Sequence, residues 1–370
     1  MTAARSAPAL AVVGATGAVG SALLQILSAR ADVWGDVRLI ASSRSAGLRR
    51  AVRGEEVEVL PLTEDAFDGL GPGDAVVFLT PPEVSARWAP LAAARGPVVV
   101  DRSPAFRADP DVPLLVPDLT GAAPAADPVT AAPPHGTSAP RGIVAGPGPT
   151  ALILLPALAA LHAEYGLTGL QLSTYQAATG AGRSGAAALR RQLTLVEGAA
   201  LGERPGDVRR AVGEDTGPFA APLALNVVPW TGGPEADGWS AEELALRAEL
   251  RRVLDLPALP VAVTCVQVPV ITGHSVTVRA RFGRQTTVDG AHAVLAAAPG
   301  VVLADDPAAG EFPTPADAAG TDPTWAGRVR RSLDDDHALE FFVCADDLRA
   351  GSALAALRTA ELLTPGTASA

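Results

Sequence analysis

The sequence predicts an α/β protein of two domains: a doubly wound, mostly parallel sheet, then a second α/β unit of different character. Three observations predict it. The chain has 370 residues, 48% hydrophobic and 19% charged, which is enough for two full cores. Its first part alternates short apolar runs with helical stretches, the pattern of a parallel sheet with crossover helices. Its second part trades those runs for alternating strands and an amphipathic helix.

The elements follow in order. Leu10–Val13 is apolar throughout, as a strand buried on both faces must be. A glycine-rich turn follows, Gly14-Ala15-Thr16-Gly17-Ala18-Val19-Gly20, and then a helical stretch at 21–30. A second strand, Val37–Ala41, runs into Ser42-Ser43-Arg44. Further strand candidates are Val57–Leu60, Ala75–Leu79, Pro97–Val100, Leu114–Val116 and Ile143–Ala145. Residues 121–141 are rich in Pro, Ala and Gly without apolar period and read as an exposed linker that contains His135. The apolar stretch Ala151–Leu161 carries Pro156 and is too short to span a bilayer, so it reads as a core helix. Leu170–Ala177 is a strand, Ser240–Leu254 an amphipathic helix, Val261–Val270 and Ser275–Phe282 are sheet strands, and Ala345–Leu363 reads as one last helix.

Composition excludes several chemistries. All 29 basic residues are arginine; without lysine there is no Schiff-base catalysis and no lysine phosphate clamp. A net charge of −11, with no basic run, argues against a nucleic-acid partner. The two cysteines, Cys265 and Cys344, lie far apart and form no metal or redox motif, which fits a reducing cytoplasm. The first residues lack a signal-peptide layout, and no metal site or membrane span is expected.

The glycines at 14, 17 and 20, placed after a strand and before a helix, allow a tight turn. They let backbone N–H groups approach a pyrophosphate at the helix N-terminus. A Rossmann-like dinucleotide site is therefore expected over Gly14, Thr16, Gly17, Ala18 and Val19. The second strand ends in hydroxyls and a cation, Ser42, Ser43 and Arg44, rather than an acid, which favours the 2′-phosphate of NADP over NAD.

Markers along the whole chain carry a specific resemblance. They are Val12–Gly20, Ser103–Arg107 with Asp109–Pro113, Ser173–Gly182, Val268–Ser275, Glu311–Gly320 and Asp347–Arg349. Together they resemble the aspartate-semialdehyde dehydrogenase family. The resemblance implies an NADP domain at 1–141, an α/β dimerisation and substrate domain at 142–344, and a C-terminal segment, 345–370, returning to the first domain. It implies a homodimer, with an active paralogue as the other candidate partner. It also implies His274 as general acid/base and Gln176 beside the nucleophile. Arg107 would receive phosphate, Glu249 would hold the substrate amino group, and Gly180 and Gly182 would lie on the cofactor.

The same comparison exposes losses. Pro149 stands where the family's cysteine nucleophile is expected; proline has no nucleophile, yet suits a helix start. Gln267 stands for the arginine that clamps the substrate carboxylate, and Ala245 for a lysine. Gly146 and Gly148 replace two asparagines flanking the nucleophile, and Asp347 replaces another. Thr80-Pro81-Pro82 replaces a glycine-rich turn, and Asp101-Arg102-Ser103-Pro104 replaces Asp-Asn-Ser-Ser. Neutral Gln does not substitute for a bidentate Arg. Cys265, two residues before Gln267, is either a relocated thiol or a small buried hydrophobe. Three functions follow as alternatives: a catalytically deficient paralogue with a structural or regulatory role, an NADPH-dependent carbonyl reductase using His274 as proton donor, or residual activity through another nucleophile.

Overall fold

The computed structural model describes residues 7–29, 33–119, 142–198 and 200–364. The expected linker at 121–141, with His135, lies outside them. The chain forms two compact units, residues 1–148 with 352–370, and residues 149–351.

The first unit contains β1 (Leu10–Val13), α1 (Ala18–Ala29), β2 (Val37–Ala41), β3 (Arg49–Val52), β4 (Glu55–Pro61), β5 (Ala75–Phe78), α2 (Pro82–Ala93), β6 (Val98–Asp101) and β7 (Ile143–Ala145). They build one sheet in the order β3-β4-β2-β1-β5-β6-β7. All pairs are parallel except β3 with β4. Strand β1 is fully buried, as its unbroken apolar run requires. From β1 the sheet grows first toward β2 and then toward β5, so the turn after β1 lies at the topological switch point, where open α/β sheets bind ligands. Strand β7 pairs with β6 and so belongs to the first unit. Leu114–Val116 is not a full strand: only Leu114 bridges, to Ala145, because Pro113 and Pro117 cut the ladder. The β3–β4 hairpin turns on Arg53 and Gly54, both at positive φ, a pairing that matches the twist of the strands.

The second unit contains α3 (Pro149–Tyr165), β8 (Leu167–Gln176), α4 (Gly182–Val196), α5 (Asp207–Val212), α6 (Ala241–Val253), β9 (Val261–Gln267), β10 (His274–Phe282), α7 (Val288–Ala297), β11 (Val301–Leu303), α8 (Pro315–Ala318), β12 (Thr324–Arg331) and β13 (Ala338–Ala345). Its sheet runs β11-β12-β13-β10-β8-β9. Helix α3 is buried from Thr150 to Leu158 and is apolar on all sides, as a central helix must be. It packs on one face of the sheet, against β8, β10, β12 and β13. The opposite face carries an open groove of about 1120 Å³ whose lining includes Gln171, Ser173, Thr264, Thr277, Arg279 and Phe342.

Two ends differ from expectation. Strand β9 stops at Gln267, short of Pro269, which has no N–H to offer the ladder. The segment 345–363 is not one helix. It is the end of β13, a wide helical turn at Arg349–Ala353, and then α9 (Leu354–Leu363). The break is at Asp346, whose carboxylate accepts the N–H groups of Leu348, Arg349 and Gly320 and holds the chain in a turn. Helix α9 then packs against β5, β6 and α1 of the first unit.

Helix α6 shows how a cap can fasten an edge. Ser240 and Glu243 form a capping box, and one Glu243 oxygen accepts Ser240 N–H at 2.9 Å. The other accepts the N–H of Cys265 on β9, the edge strand, at 3.0 Å. Glu243→Ala removes both acceptors and strands a buried N–H. It is expected to cost about 2–4 kcal/mol in urea unfolding, against about 1 kcal/mol for Ser240→Ala.

Candidate functional site

In the first unit the glycine turn is fixed by contact. Gly14 has φ +91° and a Cβ there would run into the carbonyl of Leu79; a Cβ at Gly20 would run into the carbonyl of Gly14. The N–H groups of Gly14 and Ala15 both donate to Ile40 O, tying the turn to β2. Thr16 Oγ1 lies 3.3 Å from Ser45 Oγ. The turn residues Gly14, Thr16, Gly17, Ala18 and Val19 and the exposed Ser42, Ser43 and Arg44 thus follow the ends of two neighbouring strands, β1 and β2. The first-turn N–H groups of α1, those of Ala18 and Val19 among them, have no intrahelical acceptor and suit a phosphate. This cradle, closed to any side chain at 14 and 20, fits a dinucleotide.

Past β5, Pro81 and Pro82 open α2 and lack the backbone N–H donors of a glycine-rich turn, and Thr80 Oγ1 pairs with the buried Ser85 Oγ at 2.9 Å. Asp101 is buried at the end of β6. Its carboxyl is pushed above the ordinary aspartate range by desolvation, opposed by hydrogen bonds from Ser103 and Ser85 and by the charge of Arg107. Arg102 is buried and donates to Pro147 O at 2.8 Å, and a Cβ on Gly146 would collide with its Nη1. Arg107 Nη2 donates to Arg102 O at 2.7 Å.

In the second unit the remaining residues gather around the start of α3. Pro149 is its first residue, and Gly351 lies against the ring: a Cβ there would be 3.1 Å from Pro149 Cβ. Gln176, at the end of β8, is buried with Nε2 3.4 Å from Thr150 Oγ1. Gln267 is its register partner on β9 and is also buried, so the position expected to carry the clamping arginine sits beside Gln176. His274 opens β10 and accepts the N–H of Ala177 on Nδ1 at 3.2 Å. Its ring is buried, and desolvation holds it below the ordinary histidine range, against the opposing charges of Asp347 and Asp346. Gly180 faces the ring, and Gly182 starts α4 at φ +68°. Glu249 is buried on α6.

Both cysteines are free and buried. Cys265 and Gln267 do share a face of β9, but that face is buried, and burial pushes the Cys265 thiol up to about 12. Cys344 is buried too and likewise pushed up to about 12. Thiolate, not thiol, is the reactive form. Among the described residues no cluster of His, Cys, Asp or Glu could hold a metal ion, and no helix is long and apolar enough to cross a membrane.

Family models match both units. The NAD binding domain of semialdehyde dehydrogenases matches residues 9–125, and their dimerisation domain matches residues 158–350. The chain belongs to the aspartate-semialdehyde dehydrogenase family. It is 40% identical to the aspartate-semialdehyde dehydrogenase of Corynebacterium glutamicum over 358 residues, covering 96% of this chain and 98% of that protein. It is 39% identical to that of Streptomyces akiyoshiensis, covering 95% and 97%. The solved structure of Vibrio cholerae aspartate semialdehyde dehydrogenase II complexed with ASA superposes with a TM-score of 0.83 at 28% identity, covering 98% of this chain and 99% of that one. Within this dehydrogenase family fold, the cofactor-turn residues converge in the first unit. Gln176, Gln267, His274, Gly180 and the start of α3 converge in the second. Two contacts are not foreshadowed by the sequence: Arg102 filling the space over Gly146, and Asp347 beside His274.

Proposed function

We propose that this family member binds NADP(H) at the glycine turn and pairs as a dimer through the open face of its six-stranded sheet. It does not carry out the covalent dehydrogenase reaction, and its role is structural or regulatory. The observation that carries the proposal is Pro149 as first residue of α3, in a chain whose two thiols are buried and pushed up to about 12. Acyl transfer through a thioester needs a reachable, activated nucleophile. Neutral Gln267 beside Gln176 supports the same conclusion, because a carboxylate substrate loses its bidentate partner. A second copy of the chain, or a catalytically complete relative, would supply the other half of the dimer, and the cytoplasm is the compartment proposed.

The test is an assay of purified protein for phosphate-dependent formation of NADPH from aspartate semialdehyde, with calorimetry of cofactor binding alongside. No turnover with micromolar NADP(H) binding is expected; turnover would overturn the proposal. Arg44 is exposed after β2. Arg44→Glu is therefore expected to weaken NADP binding roughly 10–100-fold, as loss of a charge-assisted bond does, while leaving NAD binding nearly unchanged.

His274 and Gln176 favour a second proposal, reduction of a carbonyl without a covalent step, because both stay buried and hydrogen-bonded. NADPH, when bound, would supply the hydride. His274 would hold the proton for the carbonyl oxygen. A carbonyl screen with His274→Ala as control separates the two proposals.

A further inference from the structure

Two groups lie on the Nδ1 side of His274, the N–H of Ala177 and the carboxylate of Asp347. In the neutral ring Nδ1 accepts the N–H of Ala177 at 3.2 Å, which places the ring proton on Nε2. The same Nδ1 lies 3.6 Å from Oδ1 of Asp347, and the two side chains are 3% and 2% exposed. Asp347 is not loosely placed. Its Oδ1 accepts Gly273 N–H at 2.8 Å and Thr179 Oγ1–H at 3.0 Å, so the carboxylate is oriented from the residue just before His274 and from the turn after β8. On the far edge of the ring stands Gly180. A methyl there would lie 3.1 Å from both Nε2 and Cε1, so glycine leaves that nitrogen unobstructed by a side chain.

The geometry points to Asp347 as a positioning residue for proton transfer by His274: a buried carboxylate that pairs with Nδ1–H of the imidazolium, so that Nε2 gives its proton to a carbonyl oxygen and the ring is left neutral with its proton on Nδ1. The inference rests on the second proposal, reduction of a carbonyl through His274, and its test reads the imidazole itself, so its failure is distinguishable from a failure of turnover.

The charge arithmetic agrees with the placement. Desolvation disfavours the imidazolium, and Asp347, then Asp346, oppose it. The neighbours contributed by β8, the turn after it and β13 are Ala177, Thr179, Gly180 and Ala345, none of them charged. Protonation exchanges the Ala177 bond for an ion pair with Asp347. Asn at 347 keeps an oxygen for Gly273 and Thr179 but removes the charge, so it separates orientation from electrostatics.

The experiment compares wild type, Asp347→Asn and Thr179→Val, each checked for native circular dichroism. Histidine NMR titration reads the His274 midpoint, assigned by the loss of its signal in His274→Gln. Asp347→Asn is expected to lower the midpoint by about one pH unit, a tenfold loss of proton affinity, while Thr179→Val, which keeps the charge, does not lower it. Urea melts read the same coupling over the pH range in which the folded wild-type ring takes up its proton. A ring whose folded-state midpoint is depressed loses stability as pH falls below its unfolded value of about 6.5, and a more depressed one loses more. The stability gap between wild type and Asp347→Asn should therefore widen as pH falls through the wild-type midpoint. A midpoint equal in the two proteins overturns the proposal, as does a gap that stays constant while pH crosses the wild-type midpoint.

Discussion

Replacing Pro149 with cysteine is expected to create a reactive thiol without creating an efficient dehydrogenase. Position 149 is the first residue of α3, where the helix dipole and unpaired N–H groups stabilise a thiolate. The native thiols are buried and pushed up to about 12, so at neutral pH iodoacetamide should label the variant once per chain and the native protein not at all. Phosphate-dependent turnover of aspartate semialdehyde should nevertheless stay near background, because Gln267 cannot grip a carboxylate. Adding Gln267→Arg to Pro149→Cys restores a charged donor beside Gln176. A charged hydrogen bond contributes about 1.5–3 kcal/mol, so kcat/KM should rise roughly 10–100-fold over the single variant. Full turnover by Pro149→Cys alone would mean that the carboxylate site is not impaired, and the account of Gln267 would be wrong.

The second large effect is expected at Gly146. Its missing side chain is replaced in space by the Arg102 guanidinium, which also donates to Pro147 O. Gly146→Ala forces that buried group out and is expected to destabilise the protein by about 1–3 kcal/mol, the usual cost of overpacking. Arg102→Ala vacates the same space, so the double variant should be little less stable than Arg102→Ala alone. The coupling should reach about 1–3 kcal/mol in a double-mutant cycle read by urea melts. Additive effects would show that the two positions do not share the space. The pair Arg102→Asn with Gly146→Asn, which would return the two residues the family resemblance leads one to expect, should be tolerated far better than Gly146→Asn alone.

The sequence makes the first sheet legible because its strands are short apolar runs, interrupted only by Arg38: Leu10–Val13, Val37–Ala41 and Ile143–Ala145 coincide with β1, β2 and β7. Helix α6 is legible from the Ser240 cap and its wet face. Four strands, β3, β11, β12 and β13, are not, for physical reasons; β11 is only three half-buried residues long. Strand β3 is short and exposed at the sheet edge, so no apolar period marks it. Strands β12 and β13 are joined through a bulge at positive-φ Arg328, which shifts their register and breaks alternation. The last helix is overextended by the sequence because Asp346 acts through three backbone contacts, one of them from distant Gly320. The site divides the same way. Glycines 14 and 20 announce themselves by spacing, whereas the exchange of volume between Arg102 and Gly146 joins residues 44 positions apart and becomes visible only in three dimensions.

Helix α9 gives the chain a peculiar order of assembly. It belongs to the unit that begins with β1, yet it is synthesised after all of residues 149–351. At about 5–20 residues per second a ribosome needs roughly 10–40 s to cross that stretch. During that interval the nucleotide-binding sheet lacks the helix that covers β5 and β6, while the second unit already has every strand it needs. The domain that starts first is therefore completed last, and the nascent chain has a window in which chaperones, not α9, must shield the apolar face of its first sheet.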